Sequence, residues 1–107
     1  MPDRHDLPAP PYRPNRHVRA TLSDRGGMLL DLRGRGRWFA LTPTAALWWQ
    51  HLLEGASLAE AAAVIADRWG ISIHRVAADL QPFIQTLLRR RVIEPVARQG
   101  RRERWPW

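Results

Sequence analysis

A chain of 107 residues with no cysteine has room for one modest domain, and it excludes disulfides, thiolate chemistry and sulfur-ligated metals. No apolar run approaches the ~18 residues of a membrane span and no apolar segment follows the basic N-terminus, so neither a membrane anchor nor a signal peptide is expected, and the cytoplasm is the default location. The net charge is +7, with every basic residue an arginine; this balance suits nucleic acid, an anionic membrane surface or an acidic peptide, and coding bias produces it equally well.

Residues 1–16 carry Pro2, Pro8, Pro10, Pro11 and Pro14 among charged side chains. Proline fixes φ and lacks a backbone donor, so this segment is expected to stay outside any sheet or helix interior as a disordered or polyproline-like arm. From His17 the pattern turns to period two. Val18, Ala20 and Leu22 alternate with Arg19 and Thr21, which predicts a half-buried strand. Ser23 to Gly27 is a turn cluster. A second strand follows from Met28 to Leu32, with Met28, Leu30 and Leu32 on one face and Asp31 on the other. After the Arg33-Gly34-Arg35-Gly36 turn, Arg37 to Leu41 forms a third strand, with Phe39 and Leu41 on one face and Trp38 and Ala40 opposite. Three short strands joined by tight turns make a meander whose first and third members are edges.

Thr42 caps a helix that has Pro43 in its first turn and runs from Ala45 to Leu53, with Leu47, Trp48 and Leu52 as its core contacts. Ser57-Leu58-Ala59-Glu60 is a capping box. The second helix then runs to Trp69, with Leu58, Ala62, Ile65, Ala66 and Trp69 on one stripe and Gly70 ending it. Ser72 opens a third helix that reaches about Arg91. Its apolar positions, Ile73, Val76, Ala77, Leu80, Phe83, Ile84, Leu87 and Leu88, form one continuous face. Pro82 either bends this helix or breaks it; the unchanged apolar register beyond it favours a bend. Val92 to Pro95 leaves the domain, and residues 97–107, ending Trp105-Pro106-Trp107, read as a disordered Arg/Trp tail. The domain is thus expected over residues 17–96, in an α+β, winged helix-turn-helix-like fold with a three-stranded antiparallel N-terminal sheet followed by three helices.

Catalytic chemistry finds little purchase. Two of the three serines, Ser57 and Ser72, are spent as caps. His5, His17, His51 and His74 fall in unrelated elements with no metal-ligand spacing, and the glycines match no phosphate-binding fingerprint. No enzyme activity, cofactor or metal is expected. Two binding readings remain. The second and third helices resemble a helix-turn-helix, but the start of the third offers only His74, Arg75 and Asp79 as outward polar groups, a poor surface for phosphates. The third strand is the stronger feature. Sheet edges are normally guarded by charge, proline or a bulge, and here Arg37 alone protects Trp-Phe-Ala-Leu. An extended peptide can add to such an edge through main-chain hydrogen bonds.

Gly26-Gly27, Leu30-Asp31-Leu32, Arg37 to Leu41, Pro43 to Ala46, Trp48 and the Asp79/Phe83 pair, in this order, resemble the PqqD-like family, the peptide-recognition domains of ribosomally made, post-translationally modified peptides. The likeness covers residues 17–95 and is closest to the standalone version in split lasso-peptide systems; Pro82 departs from it. The resemblance implies a leader segment laid as an antiparallel strand on the third strand, against the third helix. It implies contacts at Arg37, Trp38, Phe39 and Ala40 from the strand and Val76, Asp79, Leu80 and Phe83 from the helix, with Asp79 accepting hydrogen bonds and Arg75 and Arg90 meeting leader carboxylates. It also implies that the bound precursor passes to a cysteine-protease-type leader peptidase and then an ATP-dependent cyclase. Neither membrane nor nucleic acid is the expected partner.

Overall fold

The structure, a computed structural model, describes residues 11–96. The expected disorder of residues 1–10 and 97–107 lies outside these. Eight elements follow in order: β1 (Tyr12–Pro14), β2 (Val18–Ser23), β3 (Gly26–Asp31), β4 (Arg37–Leu41), α1 (Pro43–Leu53), α2 (Leu58–Trp69), α3 (Ile73–Arg89) and β5 (Ile93–Pro95). β2, β3 and β4 form the expected antiparallel meander, and β1 pairs with β5 in a separate two-stranded sheet.

That second sheet corrects two expectations, the arm over residues 1–16 and the departure of Val92 to Pro95 from the domain. Val92 and Ile93 are fully buried, and Arg13 faces Glu94 across the ribbon with Nε 3.4 Å from the carboxylate. The prolines fit because a ribbon has an unbonded side. The N–H of Asn15 donates to the Val92 carbonyl and that of Val96 to the Pro11 carbonyl, both at 2.8 Å. Hydrogen-bonded and non-bonded pairs alternate in an antiparallel ladder, so Pro14 and Pro95 occupy positions whose missing N–H would have pointed away from the partner. Asn15 then turns the chain into β2, its Oδ1 accepting from the His17 N–H at 2.8 Å.

The meander buries the face opposite to the one richest in large apolar residues. Leu29 and Asp31 are buried together with Val18 and Leu41, while Met28 and Trp38 stand on the outer face, Trp38 64% exposed. Leu30 pairs with Trp38 and Met28 with Ala40 across that outer face. Leu29 is therefore the core residue of β3. The faces alternate as expected, but hydrophobicity alone points to the wrong one.

The helices close the core as their caps dictate. The Thr42 hydroxyl accepts from the Ala45 N–H at 3.1 Å, and Ser57 and Glu60 make both bonds of a capping box. Gly70 ends α2 in a left-handed conformation at φ 69°. Trp49, not assigned to the core from the sequence, is as buried as Trp48, and the two rings meet edge to face with centroids 6.0 Å apart. Two such rings carry much of the apolar area of a small core, roughly 3–5 kcal/mol apiece on truncation to alanine. Trp69 and Ile73, expected on buried stripes, are instead about half exposed. α3 runs unbroken through Pro82. Ala78 and Pro82 are both exposed, so the carbonyl that loses its N–H partner is open to water and the helix survives.

Candidate functional site

The hydrogen-bond phase of the meander decides which groups of β4 are free. The Leu32 N–H donates to the His17 carbonyl at 2.9 Å. The two-residue turn Asp24-Arg25 is closed by the Ser23–Gly26 pair. Both observations put the bonds between β2 and β3 at even-numbered residues of β3, so the odd-numbered ones, Gly27, Leu29 and Asp31, turn their main chain toward β4. Their partners are Leu41, Phe39 and Arg37. The N–H and C=O groups of Trp38 and Ala40 consequently point out of the sheet, along an edge that no other strand among the described residues covers.

α3 packs chiefly on α2, α1 and β5, and the space between the β4 edge and this helix is the candidate cleft. Phe39 and Phe83 are half-buried and pack against the core from the two sides. Phe83 meets Trp48 edge to face with centroids 6.2 Å apart. The Arg37 guanidinium lies 5.9 Å from the centre of the Phe39 ring. Along α3, Arg75, Asp79, Phe83 and Arg90 fall on one stripe by helical spacing. Arg75 and Asp79 pair loosely at 3.8 Å, both largely exposed. Val76 and Leu80 do not join them: at 0% and 2% exposure they fill the core. Burial of this degree argues against the place in the groove wall expected for them. Trp38 presents its main chain to the edge and its ring to the outer face, away from α3.

One end of the cleft is fastened by a pair of residues that the sequence reading did not single out. Asp31 is 1% exposed. Arg33 donates to it from its backbone N–H at 3.0 Å, from Nε at 2.9 Å and from Nη2 at 2.8 Å. The side-chain bonds from Arg33 hold the Asp31 carboxyl below its usual range against the opposing effect of burial, with help from the backbone bond and the charges of Arg33 and Arg37. The same Nη2 reaches the carbonyls of Arg90 and Arg91 at 3.2 and 3.1 Å. The β3–β4 turn is thereby tied to the C-terminal end of α3. A carboxylate on the buried face of a strand must find a cation, and Arg33 two residues on is the signal that was there to be read.

Among the described residues no three His, Cys, Asp or Glu side chains gather as a metal site, and no helix is long and apolar enough to cross a membrane.

The chain belongs to the PqqD family: the model of coenzyme PQQ synthesis protein D matches residues 26–93, the span from the start of β3 to the start of β5. Within it, the likeness is to the lasso-peptide type. The fold is similar to TbiB1 in complex with the TbiA(beta) leader peptide, at 25% identity and a TM-score of 0.68 over 79% of this chain and 98% of that one. It is equally similar to a lasso peptide synthetase B1 complexed with the leader peptide, at 27% identity and a TM-score of 0.67 over 79% of this chain and 99% of that one. No curated protein matches the chain by sequence.

Proposed function

We propose that this protein is a non-catalytic adaptor of lasso-peptide biosynthesis that binds the leader of a ribosomal precursor by strand addition. The bound precursor is then presented to a cysteine-protease-type leader peptidase and to an ATP-dependent cyclase. The observation that carries the reading is the edge of β4, left unpaired among the described residues, in a fold shared with two proteins solved with leader peptides over nearly their whole length.

Trp38 and Ala40 each offer one N–H and one C=O to an incoming strand. These bonds are indifferent to sequence and add roughly 0.5–1.5 kcal/mol apiece. Discrimination comes from side chains. Those of the leader that point inward meet Phe39, Phe83 and Asp79, where an apolar group is desolvated and a hydroxyl finds an acceptor. Those that point outward lie beside the Trp38 ring. Arg75 and Arg90 sit at the margins, where exposed charges act more on encounter and register than on depth of binding.

The test is a polarisation titration of a fluorescein-labelled synthetic leader, taken from the precursor encoded beside this protein, against the full chain and its Ala40→Pro variant. Saturable binding to the parent and at least about tenfold weaker binding to the variant are expected, because proline removes a donor that faces the open edge. The melting temperature should stay within a few degrees, since the Ala40 N–H makes no bond to β3. Absence of saturable leader binding, with salt-sensitive binding to duplex DNA instead, would overturn the proposal in favour of the helix-turn-helix reading.

A further inference from the structure

The meander has a second open edge. Among the described residues β2 is paired on one side only, and the bonding phase that frees Trp38 and Ala40 on β4 also fixes which groups of β2 are free. The bonds between β2 and β3 fall at even-numbered residues of β3, whose partners are Ser23, Thr21 and Arg19. The main chain of Ala20 and Leu22 therefore points away from β3, and no turn or loop among the described residues bonds to it. Val18 is closed off by contrast. Its N–H donates to the Asn15 carbonyl at 3.0 Å, and its carbonyl accepts from the Arg19 guanidinium at 3.2 Å.

The helices stop short of this edge. Ala20 lies on the inner face of the sheet opposite Leu29, yet Leu29 is fully buried and Ala20 is exposed. Two residues on, Leu22 lines a cavity of about 430 Å³, with Leu47 and Trp69 among its apolar members and Asp24, Gln50 and Arg68 among its polar ones. Trp69 is 45% exposed, and the Arg68 guanidinium stands 5.9 Å from its ring centre. Free main-chain groups thus run beside an open apolar hollow, the two things a bound strand needs.

Charge selects the occupant. Arg16, Arg19 and Arg25 are exposed along this edge and at its two ends, and among the described residues none has a carboxylate within 4 Å. Cations on an edge repel a second copy of the same edge, and the net charge of +7 opposes it further. An acidic strand is attracted by both.

We propose that the β2 edge is a second peptide-binding site, which takes an extended acidic segment of another protein by strand addition and seats one bulky apolar side chain in the cavity between Leu22 and Trp69. In a strand laid antiparallel to β2, the side chains opposite Ala20 and Leu22 fall on the inner face, and the one opposite Leu22 lies beside the cavity. Those opposite Arg19 and Ser23 fall on the outer face, where carboxylates come near Arg19 and Arg25. The two edges are on opposite sides of one meander, so a partner on β2 and a leader on β4 can be held at once. The β2 site does not require the leader to bind.

The probe is the peptide acetyl-Glu-Phe-Thr-Val-Glu-amide, which places its Phe opposite Leu22 and its Val opposite Ala20, titrated into the full chain labelled with nitrogen-15. The amides of Ala20 and Leu22 and the Trp69 indole N–H should shift saturably at millimolar peptide, and hydrogen exchange at the two amides should slow several-fold. The counterpart acetyl-Arg-Phe-Thr-Val-Arg-amide should bind more weakly, with the gap closing as salt is raised. Arg19→Glu should reverse that preference. Ala20→Pro removes a donor that faces away from β3, so it should abolish the Leu22 and Trp69 shifts and keep the melting temperature within a few degrees. Trp69→Ser, which leaves the sheet untouched, should weaken the acidic peptide several-fold. No saturable shift, or shifts confined to Trp38 and Ala40, overturns the inference. So does slow exchange of Ala20 and Leu22 without peptide together with a dimeric mass in sedimentation, which would give the edge to a second copy. The natural leader, added last, should shift Trp38 and Ala40 and leave the β2 response in place. Displacement of the peptide by the leader overturns the second site, whereas failure of the leader to bind counts against the leader-binding reading alone.

Discussion

Asp31→Asn keeps the size and shape of the side chain and removes only its charge. Arg33 now delivers Nε and Nη2 to a neutral amide, half of which is itself a donor, so two charge-assisted bonds at 2.9 and 2.8 Å are weakened or lost. At roughly 1–1.5 kcal/mol of lost charge assistance per bond, offset by the smaller burial cost of an amide, the expected destabilisation at pH 7 is about 2–3 kcal/mol. The pH dependence carries the sharper prediction. The folded-state carboxyl of Asp31 is held below its usual range, chiefly by the Arg33 side chain. A depressed carboxylate contributes stability in full above its unfolded pKa of about 4 and loses it as pH falls through the lower folded value. The variant has no proton to take up at this position. The gap between parent and variant should therefore hold steady from pH 7 to about pH 5 and narrow below pH 4. Urea unfolding followed by tryptophan fluorescence reads it directly, because Trp48 and Trp49 are buried. For a domain of this size about 2 kcal/mol is a midpoint shift of roughly 1.5–2 M urea. A gap that stays constant down to pH 2.5 would refute the view that Arg33 holds an ionised Asp31 inside the fold.

Gly26→Ala tests how tightly β3 and β4 meet at the far end of the hairpin. Gly26 sits at φ +130°, and a Cβ built there would clash with the Leu41 carbonyl oxygen. Strain and clash together should cost at least about 3 kcal/mol, a fall of roughly 10–20 °C in melting temperature by differential scanning fluorimetry; a parent-like melt would show that the end of β4 can move aside. Leu80→Ala separates core from groove wall. It should lower stability by about 2–5 kcal/mol yet leave leader affinity unchanged at temperatures where the variant is fully folded, and a selective loss of affinity in the titration would put Leu80 back in the binding surface.

The helices were legible because their signals are local. Thr42 before Pro43, the capping box at Ser57 and Glu60, and Gly70 after Trp69 each act within one turn of chain, and the boundaries of α1 and α2 follow from them. The strands were legible as strands, but their buried face was not. Period two assigns residues to two faces without saying which is covered, and in β3 the covered face carries Gly27, Leu29 and a charged Asp31, while Met28 and Leu30 look outward. Burial of that face depends on Arg33 and on α1, neither of which is in the strand. The two-stranded ribbon was hidden for the opposite reason. β1 and β5 stand about eighty residues apart, and each contains a proline that reads locally as a veto. The veto lapses only once the pairing phase shows that both prolines face away from the ladder.

The cleft divides along the same line. An aromatic, lightly guarded strand beside an apolar helix face was visible; which of its main-chain groups are free was not, and only the register assigns them to Trp38 and Ala40. Helical spacing also grouped Val76 and Leu80 with Phe83, because the apolar face of α3 is wider than its exposed margin, and period alone does not mark where core ends and surface begins. Arg33 was read only as part of a glycine turn. Yet an edge strand and a helix that pack chiefly on other elements hold a constant separation only if something else spans them. In this fold one guanidinium does so at one end, with a buried carboxylate behind it and two helix-end carbonyls in front. Weakening that tie by Asp31→Asn should therefore loosen the mouth of the cleft as well as the core, so leader affinity should fall at pH 7 even where the variant is fully folded. A variant that loses stability and keeps its full affinity would mean that the hydrophobic core, through Trp48 and Phe83, sets the width of the cleft on its own.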